Sequence, residues 1–135
     1  MRRTGFVLLS SLLICPLFAF MRSASDGVYS KQQATRGQTA YNEQCQRCHG
    51  EALNGGEASP ALAGAEFLGR WNGKSVADLY DVIKKTMPTD DPGSVSTRQT
   101  ADITAYILSV NKFPAGSADL SNDPAASRDI SIAAK

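Results

Sequence analysis

Two cysteines and the only histidine of the chain stand together in the segment CQRCHG, residues 45–50. Three kinds of site use such a group: a structural zinc site, a redox-active dithiol and a covalently attached haem. A zinc site needs four ligands, and neither a second cysteine pair nor a second histidine follows. A thioredoxin-like dithiol requires a βαβ context, and no convincing strand is predicted. A simple disulfide between Cys45 and Cys48 leaves the position of His49 unexplained.

The haem interpretation uses all three residues. Cysteines three positions apart lie on the same face of a helical turn, so each thiol can add to one of the two haem vinyl groups. His49 then lies below the ring with a nitrogen able to reach the iron, and C-x-x-C-H is the attachment signal for c-type haem. The sequence therefore predicts one haem c, attached covalently through Cys45 and Cys48, with His49 as an iron ligand.

A second axial ligand is predicted on the loop MPTDDPGS. Met87 is the one methionine beyond the first 21 residues, and Pro88 follows it directly. A lone methionine commonly fills a gap in a hydrophobic core. This polar loop offers little core to fill, however, and a stiff loop can hold a weak thioether ligand close to a metal. We therefore expect Met87 to bind the iron opposite His49.

The elements that position these residues are predicted to be three to five short helices, which makes the fold class all-α. The first begins with Thr35 as its N-cap and runs to the cysteines, and a short helix or turn falls within residues 61–73. Ser75 and Asp78 form a capping-box start for the third, and the last covers about residues 97–110. Residues 50–60 form a loop rich in Gly, Asn, Ser and Pro. So much loop leaves few apolar residues for a self-sufficient core, and a bound group is expected to complete it.

The N-terminal stretch MRRTGFVLLSSLLICPLFAF combines two arginines with an apolar run that is short for a bilayer span. This pattern predicts a signal peptide over residues 1–25, cleaved after Ser25, and hence a periplasmic or otherwise exported protein. The alternative is an uncleaved segment that tethers the protein to a membrane. Of 14 basic and 13 acidic residues, removal of the three arginines in residues 1–25 leaves 11 and 13. That balance argues against a nucleic-acid partner.

The remaining chain divides into three parts. Residues 26–34 are predicted to be a loose polar leader, and residues 35–113 the haem domain. Residues 114–135 are predicted to be an extended C-terminal tail, either wrapped around the domain or mobile.

Residues 35–113 resemble a class I c-type cytochrome with a single haem. The resemblance rests on CQRCHG, on the segment Thr-Met-Pro at residues 86–88, and on Pro60, Leu62, Phe67, Trp71 and Tyr106. It implies a small cytochrome c fold in which the first and last helices cross with the haem beside them. At that crossing, Gly37 and Tyr41 would meet Tyr106 and Ile107.

The same resemblance implies roles for two further residues. The carbonyl of Pro60 would accept the N–H of His49 and so fix the tautomer of the imidazole. Trp71 would pack on the haem and reach a propionate, although an ordinary core position explains this tryptophan equally well. The stretch from MPTDDPGS through ADITAYILSVNKFPAG also resembles small cytochromes and cytochrome modules associated with quinoprotein alcohol or sugar dehydrogenases. That likeness implies such a dehydrogenase as electron donor, with a terminal oxidase or another cytochrome as acceptor.

A His/Met pair of ligands leaves no open position on the iron, which favours one-electron transfer over substrate binding. The predicted function is that of an exported, monomeric electron carrier rather than an enzyme. A haem enzyme or a gas-binding cytochrome is the alternative if Met87 is not a stable ligand. An exported protein without haem, carrying a Cys45–Cys48 disulfide, is the third possibility.

Overall fold

A computed structural model describes residues 22–133 of the chain. These residues contain five α-helices: α1 (Lys31–Gln44), α2 (Gln46–His49), α3 (Gly64–Trp71), α4 (Val76–Thr86) and α5 (Thr97–Val110). Two short 3₁₀ helices (Ala24–Asp26 and Pro124–Ser127) and a pair of two-residue strands, β1 (Arg22–Ser23) and β2 (Ile130–Ser131), complete it. The all-α fold class is confirmed. The predicted signal peptide lies outside the described residues, except for its last four positions.

The first helix begins earlier than predicted. Ser30, not Thr35, is the N-cap, because its hydroxyl accepts the N–H of Gln33. The hydroxyl of Thr35 instead bonds the carbonyl of Lys31 within the helix. Residues 30–34, which were predicted to be part of a loose polar leader, therefore belong to the start of α1. Tyr29, which precedes the N-cap, is not loose either, because it is only 2% exposed.

Helices α1 and α5 cross in close contact at Gly37, as the resemblance to class I c-type cytochromes implied. A Cβ atom on Gly37 would lie 1.8 Å from the backbone oxygen of Asp102, so only glycine fits against α5 at this point. One turn further along, the rings of Tyr41 and Tyr106 meet with centroids 5.4 Å apart. This crossing fixes the end of α1 from which the cysteine motif continues.

Local capping signals account for the ends of α4 and α5. Ser75 and Asp78 form the predicted capping box, in which each side chain accepts the other residue's backbone N–H. Ser96 and Gln99 do the same for α5, which spans the predicted residues. The third helix occupies the centre of the predicted 61–73 segment. The starts of α4 and α5 are therefore set by short-range hydrogen bonds between neighbouring residues.

The C-terminal tail wraps around the helices. The side chain of Gln33 makes two hydrogen bonds with the backbone of Leu120, at 2.9 and 2.6 Å, and the hydroxyl of Tyr80 donates to the carbonyl of Asn122. Strand β2 then pairs in parallel with β1. Leu120, Ile130 and Ile132 are each at most 4% exposed. The tail therefore supplies core side chains that the predicted haem domain, ending at residue 113, left out.

The N-terminal strand is part of the same packing. Ala24 is fully buried, and the hydroxyl of Ser25 donates to the carbonyl of Ala133. A cut after Ser25 would remove β1 and this buried alanine. Within residues 22–133, no helix has both the length and the apolar character needed to cross a bilayer.

Candidate haem-binding site

The segment CQRCHG forms one helical turn at the end of α1. Cys45 is both the C-cap of α1 and the N-cap of α2, and its carbonyl accepts the N–H groups of Cys48 and His49, at 3.1 and 3.0 Å. The thiols of Cys45 and Cys48 are not joined to each other. Cys48 is exposed, whereas Cys45 is partly buried against the core, and this burial raises the pKa of its thiol to about 11, with a smaller contribution from Cys48.

His49 is buried and held by one ring nitrogen. His49 is only 7% exposed, and its Nδ1 atom lies 2.9 Å from the carbonyl oxygen of Pro60. A carbonyl oxygen can only accept, so this contact assigns the proton to Nδ1 and leaves Nε2 as the free electron-pair donor. The hydrogen bond that the resemblance implied is thus present in the structure. It presents an imidazole in the tautomer that a metal requires.

The loop of residues 50–60 folds back tightly to bring Pro60 to His49. The N–H of Gly55 donates to the carbonyl of His49, at 2.9 Å. Gly55 has a φ of +75°, and a Cβ atom there would lie 2.5 Å from the oxygen of Ser59. The hydroxyl of Tyr41 also donates to the carbonyl of Gly50, at 2.7 Å, which ties the turn to α1. Gly55, one of the glycines that marked this stretch as a loop, is therefore needed for its compactness.

Helix α3 contributes two aromatic side chains. Phe67 is fully buried and Trp71 is 8% exposed, and their rings stack with centroids 6.2 Å apart. The ammonium of Lys74 lies 5.1 Å from the centre of the Trp71 ring. Both rings belong to the apolar cluster against which Cys45 packs. Contact of Trp71 with a haem propionate stays a prediction.

Met87 is the first residue of the Met loop, which we define as residues 87–95. It is the C-cap of α4, where its N–H donates to the carbonyl of Ile83 at 3.1 Å, and it is half-buried. The loop lies next to α2, because the guanidinium of Arg47 pairs with the carboxylate of Asp90. This hydrogen bond holds the pKa of Asp90 below its usual range. The structure therefore brings the loop that carries Met87 to the helix that carries His49.

One contact near Met87 was not predicted from the sequence. The ammonium of Lys84 donates to the carbonyls of Gly93 and Val95, at 2.7 and 2.6 Å. A lysine in the last turn of a helix also complements the C-terminal end of the helix dipole. No sequence signal distinguishes Lys84 from its neighbour Lys85, so the contact required the structure.

The residues fit a c-type haem. Two unjoined thiols lie on one helical turn, the adjacent imidazole is oriented with Nε2 free, and a thioether starts the neighbouring loop. Among residues 22–133, no group of three or more His, Cys, Asp or Glu side chains is arranged to hold a metal ion. The side chains that could act as iron ligands here are one imidazole and one thioether, a pair typical of electron-transfer haem.

Comparisons with known proteins agree with this fit. The profile of the family described as cytochrome C oxidase, cbb3-type, subunit III matches residues 32–107, from α1 into α5. The cbb3-type cytochrome c oxidase subunit CcoP of Azospirillum sp. (strain B510) is 34% identical over 91 residues, and that of Azospirillum brasilense is 30% identical over 92. Each alignment covers 56% of this chain and 30% of the relative, so the chain spans under a third of their length.

A solved structure gives the fold independently. The sulfane dehydrogenase SoxCD from Paracoccus pantotrophus is similar with a TM-score of 0.50 and 19% identity, over 67% of this chain and 54% of that one. At that identity the likeness concerns the fold alone. Family membership itself implies covalent haem c and a part in electron transfer. The chain is a class I c-type cytochrome and belongs to the family of cytochrome C oxidase, cbb3-type, subunit III.

Proposed function

We propose that this protein is an exported mono-haem electron carrier in which His49 and Met87 are the two axial ligands. The observation that carries the proposal is the orientation of His49, whose Nδ1 is engaged by Pro60 while Nε2 stays free on the same turn as two unjoined thiols. Bound haem supplies the Fe(III)/Fe(II) couple. The chain supplies its attachment, its ligands and its apolar surroundings.

In this proposal, each residue of the site has a separate role in holding the haem. Cys45 and Cys48 attach the group, and the Pro60 carbonyl keeps the His49 imidazole in place as a basic ligand. The Met87 thioether would take the remaining position on the iron and, being a soft ligand, would favour the ferrous state. Trp71 covers the group from α3. With His49 and Met87 both bound to the iron, the site would pass an electron and would leave no position for a substrate.

The partners are proposed from chemistry and from relatives. The matched relatives are subunits of a cbb3-type cytochrome c oxidase, which supports a terminal oxidase as electron acceptor. The quinoprotein dehydrogenase as donor rests on the likeness of residues 87–116 described above. We expect contact with either partner to be brief and the carrier to be monomeric, because turnover requires fast dissociation.

Export is proposed from the N-terminal pattern, and the structure bears on where the chain is cut. Since β1 and Ala24 pack in the domain, we expect the accumulated protein to begin at or before Arg22, or to keep the N-terminal segment as a tether. The intact mass of the purified protein tests this expectation. A mass that starts at Asp26 would contradict it and support the cut after Ser25.

Co-expression with a c-type haem maturation system tests the function. We expect haem staining to persist after denaturing electrophoresis, and the oxidised protein to show the far-red band of a methionine–iron(III) bond. The Met87→Ala variant should keep the stain and lose the band. Haem without the band in the wild type would favour the haem enzyme or gas-binding alternative, and no stain at all would refute the haem site.

A further inference from the structure

The side chain of Lys84 connects the two ends of the Met loop by hydrogen bonds. Its ammonium reaches from the last turn of α4 to two carbonyls at the far end of the loop, those of Gly93 and Val95. Val95 is 2% exposed and is followed directly by Ser96, the N-cap of α5. The side chain of Lys84 therefore joins the end of α4, three residues before Met87, to the start of the next helix.

This arrangement is not the usual one for a lysine at a helix end. Such side chains normally extend into water or pair with an acid one turn away on the same helix. Lys85 does so: it pairs with Asp81 at 2.7 Å, and its side chain is 68% exposed. Lys84 instead donates hydrogen bonds to two backbone carbonyls of the loop. Hydrogen bonds from an ionised donor are stronger than those between neutral groups.

The other contacts of the loop are weaker or purely local. Inside it, the N–H of Asp91 donates to Pro88 and the N–H of Ser94 donates to Asp91, at 3.0 and 3.2 Å. The Arg47–Asp90 pair that connects the loop to α2 is exposed on both sides, and water weakens such pairs. Besides the buried side chain of Val95, Lys84 is therefore the side chain that ties α4 directly to the far end of the loop.

We propose that Lys84 is a positioning residue for Met87. By fixing the far end of the Met loop, it restricts the conformations in which the thioether lies away from the iron. This inference rests on the proposed His49/Met87 ligation and adds the residue that maintains it. A thioether binds ferric iron weakly, so the fraction of molecules with an open loop determines how readily another ligand takes its place.

Imidazole binding to the ferric holoprotein measures this fraction. An added ligand can bind only when Met87 has left, so its apparent affinity rises in proportion to the open population. The two bonds of Lys84 are charge-assisted, and loss of even one such bond corresponds to about tenfold in an equilibrium. We therefore expect Lys84→Met to bind imidazole at least about tenfold more tightly than the wild type.

Lys85→Met is the matched control. This substitution also removes one lysine charge, at the next position along the helix. The Lys85 side chain, however, pairs with Asp81 and does not contact the loop. We expect its imidazole affinity to stay within about twofold of the wild type, because an exposed pair contributes little. Hydrogen exchange of the backbone amides in residues 87–95 should be faster in Lys84→Met and unchanged in Lys85→Met. Lys84→Gln keeps a hydrogen-bond donor without the charge, so its imidazole affinity should lie between those of the wild type and Lys84→Met. It replaces Lys84→Met in the test if that variant folds poorly.

The outcomes separate this proposal from the one on which it rests. If the wild type shows the far-red methionine–iron band but both lysine variants match it in imidazole affinity and exchange, Lys84 has no positioning role. If the wild type lacks the band, the Met87 ligation is wrong and the role of Lys84 falls with it.

Discussion

Replacing Gly37 by alanine tests the helix crossing on which the haem site is built. The added Cβ atom would lie 1.8 Å from the oxygen of Asp102, 2.5 Å from its carbonyl carbon and 2.9 Å from the Cβ of Tyr106. The nearest two atoms belong to the backbone of α5, which cannot rotate aside as a flexible side chain can. The helices must therefore separate locally for alanine to fit.

The size of the effect follows from these distances. An ordinary contact between carbon and a carbonyl oxygen is about 3.3 Å or more, so the crossing must open by roughly 1.5 Å. Overpacking of a rigid core costs about 1–3 kcal/mol, and the better helix propensity of alanine offsets up to about 1 kcal/mol of that. The displacement also strains the neighbouring hydrogen bonds of Arg36 with Asp102, at 3.2 and 3.0 Å. Since backbone is involved on both sides, we expect a net loss near the upper end, about 2 kcal/mol.

Guanidinium unfolding of the holoprotein, followed by far-ultraviolet circular dichroism, measures this loss. Gly69→Ala is the matched control, because Gly69 lies within α3 with no atom within 4 Å of its added Cβ. That variant should be as stable as the wild type or gain about 0.5–1 kcal/mol. If Gly37→Ala unfolds at the same denaturant concentration as the wild type, α1 and α5 do not cross as described.

Three further predictions concern the tail, a helix cap and the turn after the histidine. Asp119→Asn should destabilise the protein at neutral pH. Hydrogen bonds from Ser30 and, to a smaller extent, from Arg36 hold the pKa of the Asp119 carboxyl below its ordinary value of 3.8. The ionised carboxylate therefore contributes to the free energy of unfolding at any pH above 3.8. The contribution disappears as the pH falls through the lower folded-state pKa, and urea curves of variant and wild type should converge there. Ser75→Ala removes an N-cap and should lower the free energy of unfolding by about 1 kcal/mol, whereas an unchanged value would argue against the capping box. Tyr41→Phe removes the hydrogen bond to Gly50 and should lower thermal stability by a similar amount, about 1 kcal/mol, with the haem still attached; full stability would show that this bond contributes nothing.

Features set by neighbouring residues were predictable from the sequence. The turn of CQRCHG, the capping box at Ser75 and the extent of α5 all depend on contacts between residues three or four apart. The first helix was placed too late because its opening residues, KQQA, are polar and carry no apolar periodicity. Its true start is set by Ser30, and a serine followed three residues later by Gln33 is a helix-start signal that the prediction overlooked.

Features set by distant residues were not predictable. The tail looked weakly apolar, yet Leu120 is held by Gln33, 87 positions earlier, and such pairing leaves no local signal. Similarly, the contact of Lys84 with the end of the Met loop depends on how that loop returns. The bond between His49 and Pro60 was anticipated only through resemblance to a family, since spacing alone does not specify it.

The parallel pairing of β1 with β2 brings the two ends of the described domain side by side, with Arg22 opposite Ile130. A short linker could therefore join them without distorting the fold, and new ends could be opened in an exposed loop elsewhere. Such a circularly permuted chain would keep the haem motif, the helix crossing and the Met loop in their present arrangement. The same geometry makes the domain suitable for insertion into a surface loop of another protein, as a redox module attached at two adjacent points.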